Sequence, residues 1–382
     1  MKLYPELWKL ETGTKKAGTL NYTMTQKKTE SISGGRVDSL DYLRGLAAFG
    51  IMVYHMVLFN FGEVDASSVL AKVKIFGVAI FYILSGLTLY IVNINRLFFN
   101  KNDLTDFYIK RFFRIVPLLW LVTFLTVAIE YHFDLPLKKV LLNFSVVPGI
   151  IRPGSFLANG AWSIGNELFF YLLFPFLIFI TRKSSRFIWI TTALALLMFL
   201  YFTFFILDSN IPLGKQWYAY VNPFNQVLFF VLGICIGMLD NSSAKYSRIS
   251  FLILLVILGA VLFYPVTGEP IVLVSTYVRI ILSIGIFVVC FLFYKSNFEF
   301  LPKWVTGTFR FLGEISYSLY LIHPLVLLCL IFVAKKIDLH SIGLVITATM
   351  LLSVAISYFS YRFFEKSFIA IGRSVSKRLL NS

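Results

Sequence analysis

An all-helical, multi-spanning membrane protein with no soluble domain is what this sequence predicts, and three observations carry the prediction. Of its 382 residues, 58% are hydrophobic and only 14% charged, whereas a soluble domain carries about 45–50% apolar and about 25% charged residues. The mean hydropathy of +0.80 leaves too little polar surface to cover a water-facing globule, so the excess apolar surface must face lipid. Apolar runs long enough to cross a hydrocarbon core of about 30 Å recur along the chain.

Ten such runs can be cut in order: 40–61, 75–95, 115–131, 164–181, 187–207, 224–240, 250–265, 274–294, 316–334 and 342–364. The segment 141–151 is apolar but too short to cross, and it lies between Pro136 and Pro153. It reads as a re-entrant or interfacial piece. Residues 1–36 are polar and rich in Lys and Thr, without the apolar core of a signal peptide, and read as a disordered tail. No repeat of fixed period is evident.

Basic residues set the orientation. The tail, every second loop and the end from Lys366 hold 24 of the 35 Lys and Arg, against 8 in the alternate loops and three (Arg44, Arg279, Arg362) inside runs. That asymmetry places both termini in the cytoplasm and calls for an even number of spans. It also accounts for the net charge of +16 without a nucleic-acid partner. Cys235, Cys290 and Cys329 lie in apolar stretches, lack the spacing of a metal site or a disulfide framework, and read as core thiols. No metal is expected.

Ionisable groups inside the runs cost several kcal/mol each by insertion scales, so each calls for a reason. Arg44 and His55 are eleven residues apart, which puts them on one helix face about 16 Å apart along the axis. Gly45, Ala47, Ala48 and Gly50 between them leave room for a close neighbour. A snorkelling Arg and a hydrogen-bonded core His is the structural alternative. Glu167 has Ser163 and Tyr171 four residues to either side, one polar stripe that would equally serve as a cap in an aromatic belt. Ser316, Tyr320 and His323 share a face, and Pro324 after the His removes a backbone donor, which reads as a cavity-lining step or as a kink. Lys110, Arg111 and Arg114 enter the third run from the cytoplasm, with Pro117 close behind. They suit phosphate binding, and positive-inside anchoring explains them as well. His132 and His340 fall in outer loops with no role assigned, and Arg279 is expected to pair with a carboxylate.

Taken in order, these fragments resemble the acyltransferase-3 family of integral membrane acyltransferases, from about Val37 to Phe368. Arg44 and His55 match its Arg-x10-His pattern, and Phe81 to Leu89 looks like its Phe-x-x-x-Ser-Gly-Phe segment with Leu87 in place of Phe. Arg111, Arg114 and Pro117 resemble its Arg-x-x-Arg element. Trp162, Ser163, Glu167, Phe170 and Tyr171 fall on its Trp-Ser-x-x-x-Glu-x-x-Phe-Tyr pattern, although Ile164 and Asn166 depart from the commonest residues. Ser316 to Pro324 and Tyr361 to Lys366 complete the series. The resemblance implies a membrane domain at 37–368, followed by a basic cytoplasmic tail at 369–382. It also implies acyl transfer, often acetyl from acetyl-CoA, to a hydroxyl of a carbohydrate or other cell-envelope acceptor, in a bacterial cytoplasmic membrane.

In that chemistry a base must take the hydroxyl proton, and an imidazole suits the task. His55 is the expected base and Glu167 its orienting group, since both lie at a similar depth by the arithmetic of their helices. Lys110, Arg111 and Arg114 are the expected CoA contacts; Arg44, deeper in and counted with His55 and Glu167 as catalytic, is the next contact, either with the donor's pyrophosphate or with a carboxylate such as Asp41. Acyl-CoA acts as a substrate, so no tightly bound cofactor is expected. Ser85 reads as an acyl carrier or a packing residue. The rival readings are a transporter or flippase of a glycan or lipid-linked precursor, for which no inverted repeat is evident, and a metal-dependent glycosyltransferase, for which no Asp-rich loop exists.

Overall fold

The computed structural model describes residues 38–145, 148–239, 248–296 and 298–381, so the expected disordered tail at 1–36 lies outside the described residues. Helices make up most of the described residues. Each of the ten apolar runs is helical: α1 (Asp38–Phe61), α2 (Val69–Asn93), α3 (Lys101–Ile129), α5 (Ala161–Lys183), α6 (Arg186–Tyr201), α7 (Pro223–Leu239), α8 (Arg248–Leu262), α9 (Tyr277–Lys295), α10 (Lys303–Lys336) and α11 (Ile342–Phe359). The short α4 (Leu137–Phe144) sits between α3 and α5, and α12 (Lys366–Leu380) ends the chain.

Among the described residues, eight helices are long and apolar enough to cross a membrane. A ninth crossing forms if α7 is joined to the short helical stretch before it, Leu213–Tyr220, from which it bends by 61°. The seventh run, in α8, is shorter than a span needs. Its apolar part, Ile249–Leu262, is 14 residues, which reach only about 21 Å at 1.5 Å per residue.

Polar residues start the helices where the sequence changes character. Ser68, Asn100, Thr276 and Ser341 each accept a backbone N–H of the first turn, at the heads of α2, α3, α9 and α11. These caps satisfy donors that no turn of the helix can reach. The segment 141–151 forms the end of α4 and the four-residue helix Pro148–Ile151, neither able to cross. Buried Asn143 fixes α4 by accepting from the Leu157 N–H and donating to the Ser155 carbonyl. At the other end of the chain, α11 runs through a π-helical segment, Ser360–Glu365, directly into α12. The stretch expected as a basic tail is therefore helical to Leu380.

The pairing of α1 with α10 positions the site. A Cβ on Gly45 would lie 2.5 Å from the Gly313 backbone nitrogen, and one on Gly313 would lie 2.4 Å from the Asp41 carbonyl oxygen. No side chain fits there, so the two backbones touch. In lipid, close backbone approach of this kind replaces the hydrophobic drive that water would supply. The helices run parallel, and the same offset that pairs Gly45 with Gly313 pairs His55 with His323. Against them α2 runs antiparallel to α1, with Arg44 beside Thr88 and Gly50 beside Val73. Large side chains of α6, α8 and α11 such as Leu197, Val256 and Leu351 are exposed, which is the surface a lipid-facing periphery needs.

Arg279 is fully buried, but its partners are the Thr203 hydroxyl at 2.9 Å and the Asn225 carbonyl, with the Phe199 ring 4.1 Å away. The expected carboxylate is replaced by a hydroxyl, a carbonyl and a ring face. Cys235 and Cys290 are buried and Cys329 is half-buried, all three free thiols.

Candidate functional site

Two cavities lie along the α1–α10 seam, and their chemistry differs. The first, about 790 Å³, opens among α1, α2, α3, α5 and α10 near the helix ends that carry most of the basic residues. Arg44, Arg111 and Arg114 line it, with Glu167 facing them. The second, about 1030 Å³, lies towards the opposite end, where α1 finishes and α5 begins. His55, Glu63, Lys74, Trp162, Trp217 and Tyr220 are among its walls.

In the first cavity each arginine is held differently. Arg44 donates to the Leu84 carbonyl at 3.1 Å and the Thr88 hydroxyl at 2.8 Å, and lies 3.6 Å from the Asp41 carboxylate. Arg111 rests over the rings of Phe107 and Tyr171, at 5.8 and 5.6 Å. Tyr171 and Ser85 both donate hydrogen bonds to the Glu167 carboxylate. A chain of contacts from Ser85 through Glu167 and Tyr171 therefore sets the face on which the Arg111 guanidinium lies. Three guanidinium groups against one facing carboxylate leave the cavity positive, and planar guanidinium groups match phosphate oxygens in pairs.

Lys110 stands apart. Its ammonium bonds Asp106 at 2.6 Å on the exposed side of α3, and it does not line the cavity. The expected trio of cations thus separates into two that face the cavity and one whose ammonium is drawn back one turn to Asp106.

At the second cavity the decisive contact joins two imidazoles. His55 Nδ1 and His323 Nε2 are 2.7 Å apart, and His323 Nδ1 is 2.7 Å from the Leu319 carbonyl oxygen. A carbonyl only accepts, so His323 Nδ1 carries a proton. Its Nε2 is then an acceptor, and the proton in the shared bond belongs to His55 Nδ1. That leaves His55 Nε2 as a bare lone pair on a residue that lines the cavity. His323 is completely buried, while His55 keeps some exposure. The helix α10 continues through Pro324 without a break, and the residue before it makes the imidazole contact.

Glu167 does not meet His55. It belongs to the first cavity, bonded to Ser85 and Tyr171, while His323 occupies the position beside His55 that sequence reasoning gave to the carboxylate. Similar depth along the membrane normal does not fix position around the bundle axis.

The Ser163 and Tyr320 hydroxyls are 2.8 Å apart and each lies within hydrogen-bond reach of the Gly160 carbonyl at the start of α5, so their two protons are shared among three contacts. Tyr320 is the residue the two cavities have in common. Thr88, Trp217 and Tyr220 enter the site without having been singled out. The cluster of Trp217, Tyr218 and Tyr220 in a segment between two apolar runs was the available signal for the last two. Tyr54 and Lys74 both bond Glu63 at the mouth of the second cavity. His132 and His340 lie outside both cavities, and His340 sits 3.3 Å from exposed Asp338. Among the described residues no group of three or more His, Cys, Asp or Glu side chains is placed to hold a metal ion.

Residues 37–362 match the family model described as an acyltransferase domain. A protein of Acidianus two-tailed virus that carries the name "Putative acetyltransferase ORF330" is 27% identical over 290 residues, covering 74% of this chain and 81% of its own length. No solved structure matches the chain.

Proposed function

The chain belongs to the acyltransferase-3 family, and from that premise we propose that it moves acetyl from acetyl-CoA to a hydroxyl of a cell-envelope carbohydrate, with His55 as the general base. The observation that carries the reading is the relay from the Leu319 carbonyl through His323 to His55. It fixes the His55 tautomer with Nε2 unprotonated, which is the state a base requires.

In the reaction, His55 Nε2 takes the proton of the acceptor hydroxyl as its oxygen attacks the thioester carbonyl. The C–S bond then breaks, and the departing sulfur takes the proton back from His55. The products are the ester and free CoA, and the enzyme returns to its starting state. His323 does not touch the reacting atoms. It is a positioning residue that holds the ring and spreads the charge when His55 becomes an imidazolium, as the third member of a nucleophile, base and orienter chain does.

The cavity lined by Arg44, Arg111 and Arg114 supports a donor rich in phosphate. With both termini in the cytoplasm, as the basic-residue asymmetry argues, that cavity opens where acetyl-CoA is made. The aromatic walls of the second cavity, Trp162 and Trp217 with ring centres 5.6 Å apart, support a sugar acceptor, whose C–H faces pack on such rings. Glu167 and Tyr171 keep Arg111 in place, and Ser85 acts as a donor to Glu167 in a direct transfer.

The test is mass spectrometry of envelope glycans from cells with and without the chain, looking for loss of an acetyl increment, paired with purified protein given acetyl-CoA. An unchanged glycan profile and no turnover of acetyl-CoA would overturn the reading.

A further inference from the structure

The proposed reaction places the thioester in one cavity and the base on the other, and a single side chain stands in both walls. We propose that the Tyr320 phenol is a hydrogen-bonded partition between a donor chamber and an acceptor chamber, and that it sets the size of the acyl group that can pass.

The partition is built from both sides. The phenol oxygen meets the Ser163 hydroxyl at 2.8 Å and the Gly160 carbonyl at 3.2 Å, and Ser163 bonds the same carbonyl at 2.9 Å. These three oxygens form a close triangle, in which the two O–H groups make two hydrogen bonds at a time, and it ties α10 to the first turn of α5. Ser163 lines the donor chamber and Gly160 the acceptor chamber, so the triangle lies in the wall itself. The ring is seated edge-on against Phe81, with centroids 5.6 Å apart.

Gly160 is shaped for this seat. Its φ of +80° belongs to the left-handed region, and a Cβ there would lie 3.1 to 3.2 Å from the Tyr320 ring atoms. Both the backbone conformation and the space favour glycine. Three residues further along α10, His323 holds His55, and the ring centres of Tyr320 and His323 are 6.4 Å apart. The phenol therefore stands directly between the arginine-lined chamber and the base.

The arrangement has a chemical use. A thioester that could always see His55 would also see water activated by His55, and acyl-CoA would be hydrolysed to the carboxylate and free CoA without an acceptor. A phenol held by hydrogen bonds to neutral partners is tied firmly enough to close the wall and weakly enough to swing aside about its side-chain torsions. A ring that swings aside still occupies part of the passage, so a two-carbon acyl group passes more readily than a longer one.

The inference rests on the acyl-CoA reading for its activity arm only, and the accessibility arm stands without it. For accessibility, Ser85→Cys places a thiol in the donor chamber, with Cys329 replaced by serine. A membrane-impermeant thiol reagent is applied to either face, using spheroplasts and inside-out vesicles. The parent should label from one face, and adding Tyr320→Ala should give labelling from both, at five-fold or more above the parent on the second face. Unchanged one-sided labelling in folded Tyr320→Ala overturns the partition. Should that variant not fold, Tyr320→Leu, which keeps apolar bulk but no hydroxyl, carries the same test.

For activity, Tyr320→Phe keeps the ring and loses the triangle. Its acceptor-independent release of CoA from acetyl-CoA should rise at least five-fold. In Tyr320→Ala the rate with butyryl-CoA relative to acetyl-CoA should rise ten-fold or more, a change of selectivity that general loss of structure would not produce. Equal hydrolysis and equal selectivity in wild type and both variants, in protein that does turn over acyl-CoA, overturns the partition alone. Two-sided labelling in protein that turns over no acyl-CoA keeps the partition and removes the donor reading.

Discussion

The two cavities solve opposite problems with opposite materials. The arginine-lined cavity has three guanidinium groups, one facing carboxylate and polar hydroxyls, and its residues are held by contacts that leave cationic edges available. The second has aromatic walls, an ion pair only at its mouth, and a neutral imidazole pair at its inner end. Holding a multiply charged donor needs fixed charge, whereas taking a proton needs a neutral base protected from competing charges. In the proposed reaction, separating them lets each be built without compromising the other, and the wall between them is the proposed partition.

The largest loss should follow removal of the base. His55→Ala and His55→Gln should lower transfer by about 10²–10⁴-fold, the contribution expected of a general base. Binding of acyl-CoA should persist, because the arginines lie on other parts of the bundle or lower on α1. Glutamine matters most, since it keeps a hydrogen bond to His323 but cannot usefully accept the proton. Transfer within about threefold of wild type in purified His55→Gln, far less than a base supplies, would end the proposal.

A slightly smaller loss should come from the helix seam. Gly313→Ala puts a Cβ 2.4 Å from the Asp41 carbonyl oxygen, so α1 and α10 must move apart or slide. Misplacement of about 1 Å at a reacting centre costs about 10²-fold, and the imidazole contact is on the same seam. Transfer should fall by about that factor while circular dichroism still reports a helical protein. A variant with unaltered transfer would show that the His55–His323 contact does not depend on backbone contact at Gly313.

How much of this the sequence carried differs between the cavities. Ten apolar runs, the small face of α1, the polar stripe from Ser163 to Tyr171 and the Arg111–Arg114 face were legible, because each is a periodicity within one helix. The bond between Tyr171 and Glu167 follows from the same four-residue spacing. The partner of His55 was not legible. It lies 268 residues away, and only the meeting of Gly45 with Gly313 brings the two histidines into register. Depth arithmetic, which needs only rise per residue, favoured Glu167, but it carries no information about which helices are neighbours. The Trp217 and Tyr220 walls were missed for a related reason, since they sit in a bent segment that no single periodicity describes.

On the arginine side, Arg111→Ala and Arg114→Ala should each weaken acyl-CoA binding by about ten-fold or more, since a hydrogen bond to a charged group contributes about 1.5–3 kcal/mol. The maximal transfer rate should change less than the affinity. Isothermal titration with CoA itself separates the two effects, because CoA carries the phosphates and no acyl group. Unchanged affinity in both variants would leave the cavity without its assigned ligand.

The smallest expected effect discriminates best between a cavity and a merely basic surface. Lys110 is adjacent to Arg111 in sequence and carries the same charge, but its ammonium is 2.6 Å from Asp106, on the side of α3 that α12 packs against. Asp106 also accepts from Ser376 of α12, so the lysine completes a surface contact between two helices. An exposed pair of this kind is worth about 0.2–1 kcal/mol to stability, and removing it takes no donor from the cavity. Lys110→Ala should therefore leave CoA affinity within about twofold, a change no larger than loss of a screened surface charge produces, with a small drop in thermal stability. If Lys110→Ala weakens CoA binding as much as Arg111→Ala, phosphate is held by the general positive field of this end of the bundle, and the distinction between a built donor chamber and positive-inside anchoring fails.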